Sequence, residues 1–385
     1  MLKMLTAFTD EIDEAELAVK AVLEQLDIPN ALLRHSVGLL FCYADFIETG
    51  VAQAICEALP FDVVGCTTLT NGVPGGAGMA ALSLAVLTSD DVRFSATMSE
   101  SLADNPEERM REAFALARRG RPEKPALAFA LAPLLLDPGG EVISDAIFAA
   151  AEDTPVFGST ACDHTLTLDK SYTLLNGRVE KASASLVLVY GDVHPRFFLK
   201  VISEEKIQKQ KAIITGSEGG TLREVNGMPL MQYMEMLGVS KNNGIENIGV
   251  VPFIVKYNDG TPSVARVIYT ITPEGHALCG GKMPVGSTLA VGRLDVDDIR
   301  NTAWRTVTEA MGGETPNALF MFPCLARNVV LGVDYLAEME VVRQTLGDAF
   351  PYLLAYAGGE LCPDTDDNGR LLNRFHNFTF VACAL

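Results

Sequence analysis

The sequence predicts an α/β protein of two domains, with mixed, largely parallel sheets built from repeated strand-helix-strand units. Three observations carry that expectation. Of the 385 residues 48% are apolar and only 21% charged, the composition of a chain with a dense core. Folded chains of this length bury about three quarters of their unfolded surface, and two cooperating domains are the natural division. One order of elements (strand, helix, strand, glycine-containing turn, later apolar strand) recurs three times.

In the first copy, residues 37–43 read as a buried strand, 46–59 as a helix, and 62–64 as a short strand running into Gly65-Cys66-Thr67-Thr68; 79–87 form the later strand. In the second, 126–132 are the strand, Gly140–Ala151 the helix, and 155–157 lead into Gly158-Ser159-Thr160-Ala161-Cys162-Asp163, with Ser185–Tyr190 following. In the third, 318–322 precede a helix over 335–347, 352–356 enter Ala357-Gly358-Gly359-Glu360, and 375–384 close the copy. A helical crossover makes the first strand pair of each copy parallel. The later strand has no helix-length connection, so it returns antiparallel. Between copies, Pro106 and Glu107-Glu108 suit the start of a helix over 105–119. A composition change near Leu222 divides the chain into domains 1–222 and 223–385.

A net charge of −19 excludes a phosphate track, which needs a basic stripe, and speaks against anionic lipid. The longest nearly apolar run, 126–136, is too short to span a bilayer and contains Pro133. A cytoplasmic protein with neither nucleic-acid binding nor membrane insertion is expected. The eight cysteines form no Cys-x-x-Cys and no zinc-spaced pair with histidine.

In α/β sheets ligands sit beyond the carboxyl ends of parallel strands, where all three glycine turns fall. Gly65, Gly158 and Gly359 would admit close backbone approach, and Cys66, Thr67, Thr68, Ser159, Thr160, Asp163 and Glu360 would supply donors and acceptors. The plainer alternative is that the turns only end strands and cap the next element. Arg327 is placed to grip a ligand carboxylate bidentately, or else to make a surface ion pair in a strongly acidic protein. Asn373, Arg374 and Asn377 flank His376, one of five histidines and the candidate axial ligand should haem b be the cofactor.

Other clusters are weaker. Cys162-Asp163-His164 invites a cysteine hydrolase, yet adjacent strand residues point to opposite faces. The segment from Asp364 to Gly369 copies the opening of a calcium loop, but Phe375 stands where the closing carboxylate belongs, so a hairpin turn explains it better. Gly75-Gly76-Ala77-Gly78 lacks the lysine of a phosphate loop. No self-contained catalytic motif occurs, and no enzyme activity is expected.

Gly65-Cys66-Thr67-Thr68, Val225-Asn226-Gly227-Met228-Pro229-Leu230 with Tyr233, Cys324-Leu325-Ala326-Arg327, Gly359-Glu360 and the run from Asn373 to Thr379 resemble the FIST family of intracellular signal-transduction sensors, in both its N and C domains. The resemblance implies a module sensing small ligands such as amino acids, with Cys324 among the ligand-binding residues and a separate histidine kinase or other two-component protein as output. For stand-alone bacterial members it implies haem, with nitric oxide as the sensed gas.

Overall fold

The computed structural model describes residues 2–165, 169–239, 249–313 and 315–385. Three copies of one unit are arranged around an axis, and a further sheet is inserted in the third. Each unit runs strand, helix, strand, helix, strand, hairpin, return strand. The opening strands, Leu2–Thr9, Arg93–Met98 and Arg196–Lys200, belong to the repeat as well, although the sequence pattern did not single them out.

Within each unit the strands joined by a crossover helix are parallel: His35–Cys42 with Asp62–Thr67, Leu127–Ala132 with Val156–Thr160, and Leu319–Pro323 with Tyr352–Ala355. The return strands Leu82–Ser89, Ser185–Tyr190 and Phe380–Ala384 lie antiparallel to the first of each pair. Every other named ladder is antiparallel too, so the expectation of largely parallel sheets is corrected: they are mostly antiparallel. Helical crossovers are few, while hairpins and short returns reverse the chain everywhere else.

The hairpins are exchanged in a ring. In unit one, Asn71–Val73, hairpinned with Gly76–Gly78, pairs with Tyr352–Ala355 of unit three. In unit three, Glu360–Thr365, hairpinned with Leu371–His376, pairs with Val156–Thr160 of unit two. In unit two, Thr173–Leu175, hairpinned with Arg178–Glu180, pairs with Asp62–Thr67 of unit one. Strands from both sides of residue 222 therefore share three of the four sheets, the inserted one among them, and Leu222 itself lies within Thr221–Val225 of that inserted sheet.

Alternation along the strands explains the layering. Leu39 and Phe41, Phe129 and Leu131, and Phe320 and Phe322 point to a common core. There Phe41 meets Phe322 at 5.2 Å, Phe129 meets Phe320 at 4.9 Å and Phe157 meets Phe322 at 5.1 Å, so rings from all three sheets touch. Outward residues pack under helices instead. Small Ala128, Ala130 and Ala132 let Pro106–Ala117 and Gly140–Ala151 settle on unit two; Leu40 and Cys42 sit under Ala15–Leu26 and Val51–Ala58; Leu319 and Met321 sit under Val296–Met311 and Ala337–Leu346.

The inserted sheet, strands Ala212–Glu218 to Thr288–Val291, interrupts unit three between its opening strand and the helix Val296–Met311 and has a core of its own. Among the described residues no helix is long and apolar enough to cross a membrane. The calcium-like segment is a hairpin turn, closed by Asp366, which accepts from the Asn368 and Arg370 backbones.

Because Phe322 touches rings of two other sheets, Phe322→Ala should destabilise the whole molecule by about 4 kcal/mol. Urea unfolding followed by circular dichroism would measure it; a loss confined to one unit, seen as a second transition, would contradict the shared axis.

Candidate functional site

The three sheets enclose the axis as a prism, and the three glycine-containing segments meet at the end of it where the parallel strands finish. Thr67 accepts at its carbonyl from the Cys162 backbone at 3.0 Å, and the Tyr356 backbone donates to the Thr70 carbonyl. The Thr68 hydroxyl donates to the Tyr356 carbonyl at 2.6 Å. The Thr160 backbone donates to Gly359, and Gly358 donates back to Thr160. Each turn thus supplies the partners that the next one's strand ends lack. The result is a closed hub, with Thr67, Thr68, Ser159, Thr160 and Glu360 all buried.

Gly65 and Gly158 are not turn residues; they lie inside Asp62–Thr67 and Val156–Thr160. A Cβ at Gly158 would sit 1.8 Å from the Ala130 carbonyl oxygen, and one at Gly65 would sit 2.5 Å from that of Leu40. Both are therefore glycine because a neighbouring strand is too close for a side chain. Gly359 has the same cause, with the Phe375 ring in the way.

Cys66 points into the axial core, and burial holds its thiol far above the ordinary range. The Cys162 thiol, pushed up to about 12 by burial, donates to the Tyr356 carbonyl, while His164 stacks on Tyr43 at 4.8 Å. That arrangement gives no activated thiolate. Asp163 organises its own loop, accepting from Thr165, Lys170 and Ser171. Asn373 lies further down the exchanged hairpin and ties it to Val156 and Thr154.

Arg327 does grip a carboxylate, but one of the protein's own. Its Nη2 donates to Glu338 at 2.7 Å in an ion pair with both side chains fully buried, and further donors reach the Val201, Phe378 and Ile299 carbonyls. The guanidinium joins the inserted segment's flank to two helices of unit three. His376 is 1% exposed, and its Nε2 bonds the Cys362 carbonyl at 3.0 Å. Burial pushes it down to about 3, so it is a neutral strand residue. A haem iron on that nitrogen would require the Glu360–Thr365 and Leu371–His376 pair to open, and the residues do not fit the group. Among the described residues no cluster of three or more His, Cys, Asp or Glu is arranged to hold a metal ion.

The chemically unusual region is the seam where the inserted sheet lies against the prism. Arg266, 1% exposed, donates to Glu141 at 3.0 Å, to the Tyr257 hydroxyl and to the Phe375 carbonyl. Lys282 adds an ion pair to Asp145. Gly280 and Gly281 allow this approach, since a Cβ would lie 2.4 Å from the Asn377 Oδ1 or 2.5 Å from the Arg266 Nε. Asn377 also accepts from the Val267 backbone. Arg374 lies over the Tyr257 ring, donates to the Pro262 carbonyl, and makes no ion pair among the described residues. Burial and the neighbouring Arg266 weaken its hold on its proton.

At the inner end of the seam, Glu360 accepts at Oε2 from the Thr379 backbone and hydroxyl, while Oε1 has no hydrogen-bond partner. Burial raises its carboxyl from 4.5 to about 8, opposed by Thr379, the Cys324 thiol and Arg327. The Tyr269 hydroxyl, contributed by the inserted strand Ile268–Ile271, is also buried without a partner. Sequence reasoning missed Arg266, Tyr269, Glu141 and Glu338. Arg266 did carry a signal, a lone charge within an apolar run, and Gly280-Gly281 was another.

Arg327→Ala, which strands the Glu338 carboxylate, should cost about 3–5 kcal/mol, and Arg327→Met with Glu338→Leu much less, as read by chemical denaturation. Glu360 binds its proton more tightly folded than unfolded, so its contribution to stability declines as pH rises from about 4.5 to about 8. Glu360→Gln should gain on the wild type steadily across that window; a constant difference would place the group's ionisation elsewhere.

Residues 36–228 match the model of the FIST N domain, and residues 229–363 match that of the FIST C domain. No curated protein matches the chain.

Proposed function

The chain belongs to the FIST family, whose domains serve signal-transduction sensing, and from that premise we propose that it is a small-ligand sensor whose ligand is taken at the seam between the inserted sheet and the prism. The observation carrying this reading is the set of incompletely paired polar groups buried there: Glu360 Oε1, the Tyr269 hydroxyl and the Arg266 Nε. Buried polar atoms are almost always bonded, and an orphaned group points to something that completes it. Arg374, a half-buried guanidinium that makes no ion pair among the described residues although Asp364 and Asp259 act on it, favours a small anion such as an amino acid over haem with nitric oxide.

In this reading the protein performs no chemistry. Ligand binding favours one seating of the inserted sheet on the prism, and a separate histidine kinase or other two-component protein in the cytoplasm responds to the difference. Tyr269 and Val267 come from the inserted segment, while Glu360, Arg374 and Asn377 come from the exchanged hairpin and the turn after it. A ligand touching both would therefore bias their relative position.

A calorimetric panel of L-amino acids and small carboxylates, run beside a haem titration followed by absorbance, tests this. Saturable binding of one of the anions, weakened at least tenfold in Arg374→Ala with the melting temperature preserved, is expected. A Soret band that disappears in His376→Ala, with no anion bound, would reverse the assignment.

A further inference from the structure

We propose that the Tyr269 hydroxyl and the Glu360 carboxyl form a two-donor pocket for one oxygen of a ligand carbonyl or carboxylate, closed when the inserted sheet is seated. This deepens the seam reading and rests on it. The geometry has three parts. Glu360 is fully buried, and Thr379 occupies only its Oε2, so Oε1 is left facing the interior. Tyr269 brings a buried, unpartnered hydroxyl from a different element, the inserted strand. Tyr269 packs on the cluster that holds Phe378, the chain neighbour of Thr379, which bonds Glu360, and Ala326, which lies between Cys324 and Arg327 in the chain; both Cys324 and Glu360 act on its hydroxyl.

The chemistry of the donors names the ligand group. At neutral pH a carboxyl held protonated has its proton on one oxygen, and with Oε2 accepting from Thr379 that proton belongs on Oε1. Oε1 then donates, as the phenol does. Two neutral donors in a low-dielectric site stabilise a carbonyl or carboxylate oxygen strongly, because they cost no charge burial of their own. A ligand cation has no anionic partner there until Glu360 ionises. Other charged or titratable groups acting on the pair are the guanidinium groups of Arg327, on Glu360, and Arg266, on Tyr269, which favour negative charge on the ligand, and the buried Cys279 thiol, on Tyr269. Cys324 remains a neutral wall, since burial holds its thiol well above the ordinary range.

The arrangement also links occupancy to the state of the sensor. One donor belongs to the prism and the other to the inserted sheet, so the oxygen is held twice only when the sheet is down.

The test uses acetate and acetamide as probes on the full chain, with 3-fluorotyrosine incorporated and the Tyr269 fluorine resonance assigned by its loss in Tyr269→Phe. Both probes should shift that resonance saturably near neutral pH. Acetate should weaken at least tenfold above about pH 8, where Glu360 becomes anionic, while acetamide changes less. Glu360→Gln, which keeps a neutral donor, should retain acetate binding at the higher pH. Calorimetry should show tenfold weaker acetate binding in Tyr269→Phe. Anion binding that weakens in Arg374→Ala but is unchanged in Tyr269→Phe would overturn this pocket and leave the seam reading standing. If no amino acid or carboxylate binds at all, and neither probe moves the resonance, both fall.

Discussion

Three sheet faces share one apolar, buried axis, and most of the molecule depends on that. Phenylalanines from each unit meet there, so no sheet can bury its inner face without the other two. Each unit would also leave the outer edge of its second parallel strand with unpaired backbone groups, a liability in water. The exchanged hairpins cover those edges in a ring, and each unit both lends and receives one. Stability is in this way pooled rather than held unit by unit.

The same constraint determines what the strand ends can do. Around one axis, three sets of carboxyl-end turns are forced into contact. Here they satisfy one another through backbone and threonine hydrogen bonds instead of opening onto solvent. Backbone bonds that run from each turn to the next keep the units in register. Adaptable chemistry is displaced outward to the seam, where a sheet added to one unit covers part of the prism with its polar groups incompletely matched.

Two fully buried arginines mark that seam and its flank. Buried ion pairs contribute little net stability relative to apolar packing, but breaking one is costly. Arg327 with Glu338, and Arg266 with Glu141, act as orientation devices: they define how the helices and the inserted sheet sit, and wrong seatings leave a charge unpaired. A sensor needs that property, because a ligand can shift an equilibrium only between well-defined positions.

Periodicity, crossover helices and apolar runs were enough to read three repeated units, their parallel pairs and their antiparallel returns, since these depend on contacts close along the chain. The equivalent place of the three turns, each beyond the carboxyl ends of a parallel pair, was legible for the same reason: units of one kind present equivalent ends. The partner of each hairpin was not, because an edge strand carries the same alternation whichever sheet it joins; the exchange depends on the closure of the ring. Nor did local pattern reveal that Gly65 and Gly158 make room for a neighbouring backbone, or that the carboxylate for Arg327 is Glu338, eleven residues onward and reached across a turn. Residue types alone determined the repeat, the dense core and the acidic surface. Burial and pairing across the seam, which leave Glu360 Oε1, the Tyr269 hydroxyl and the Arg266 Nε without partners, were decided by tertiary packing, because solvation depends on what lies opposite in space.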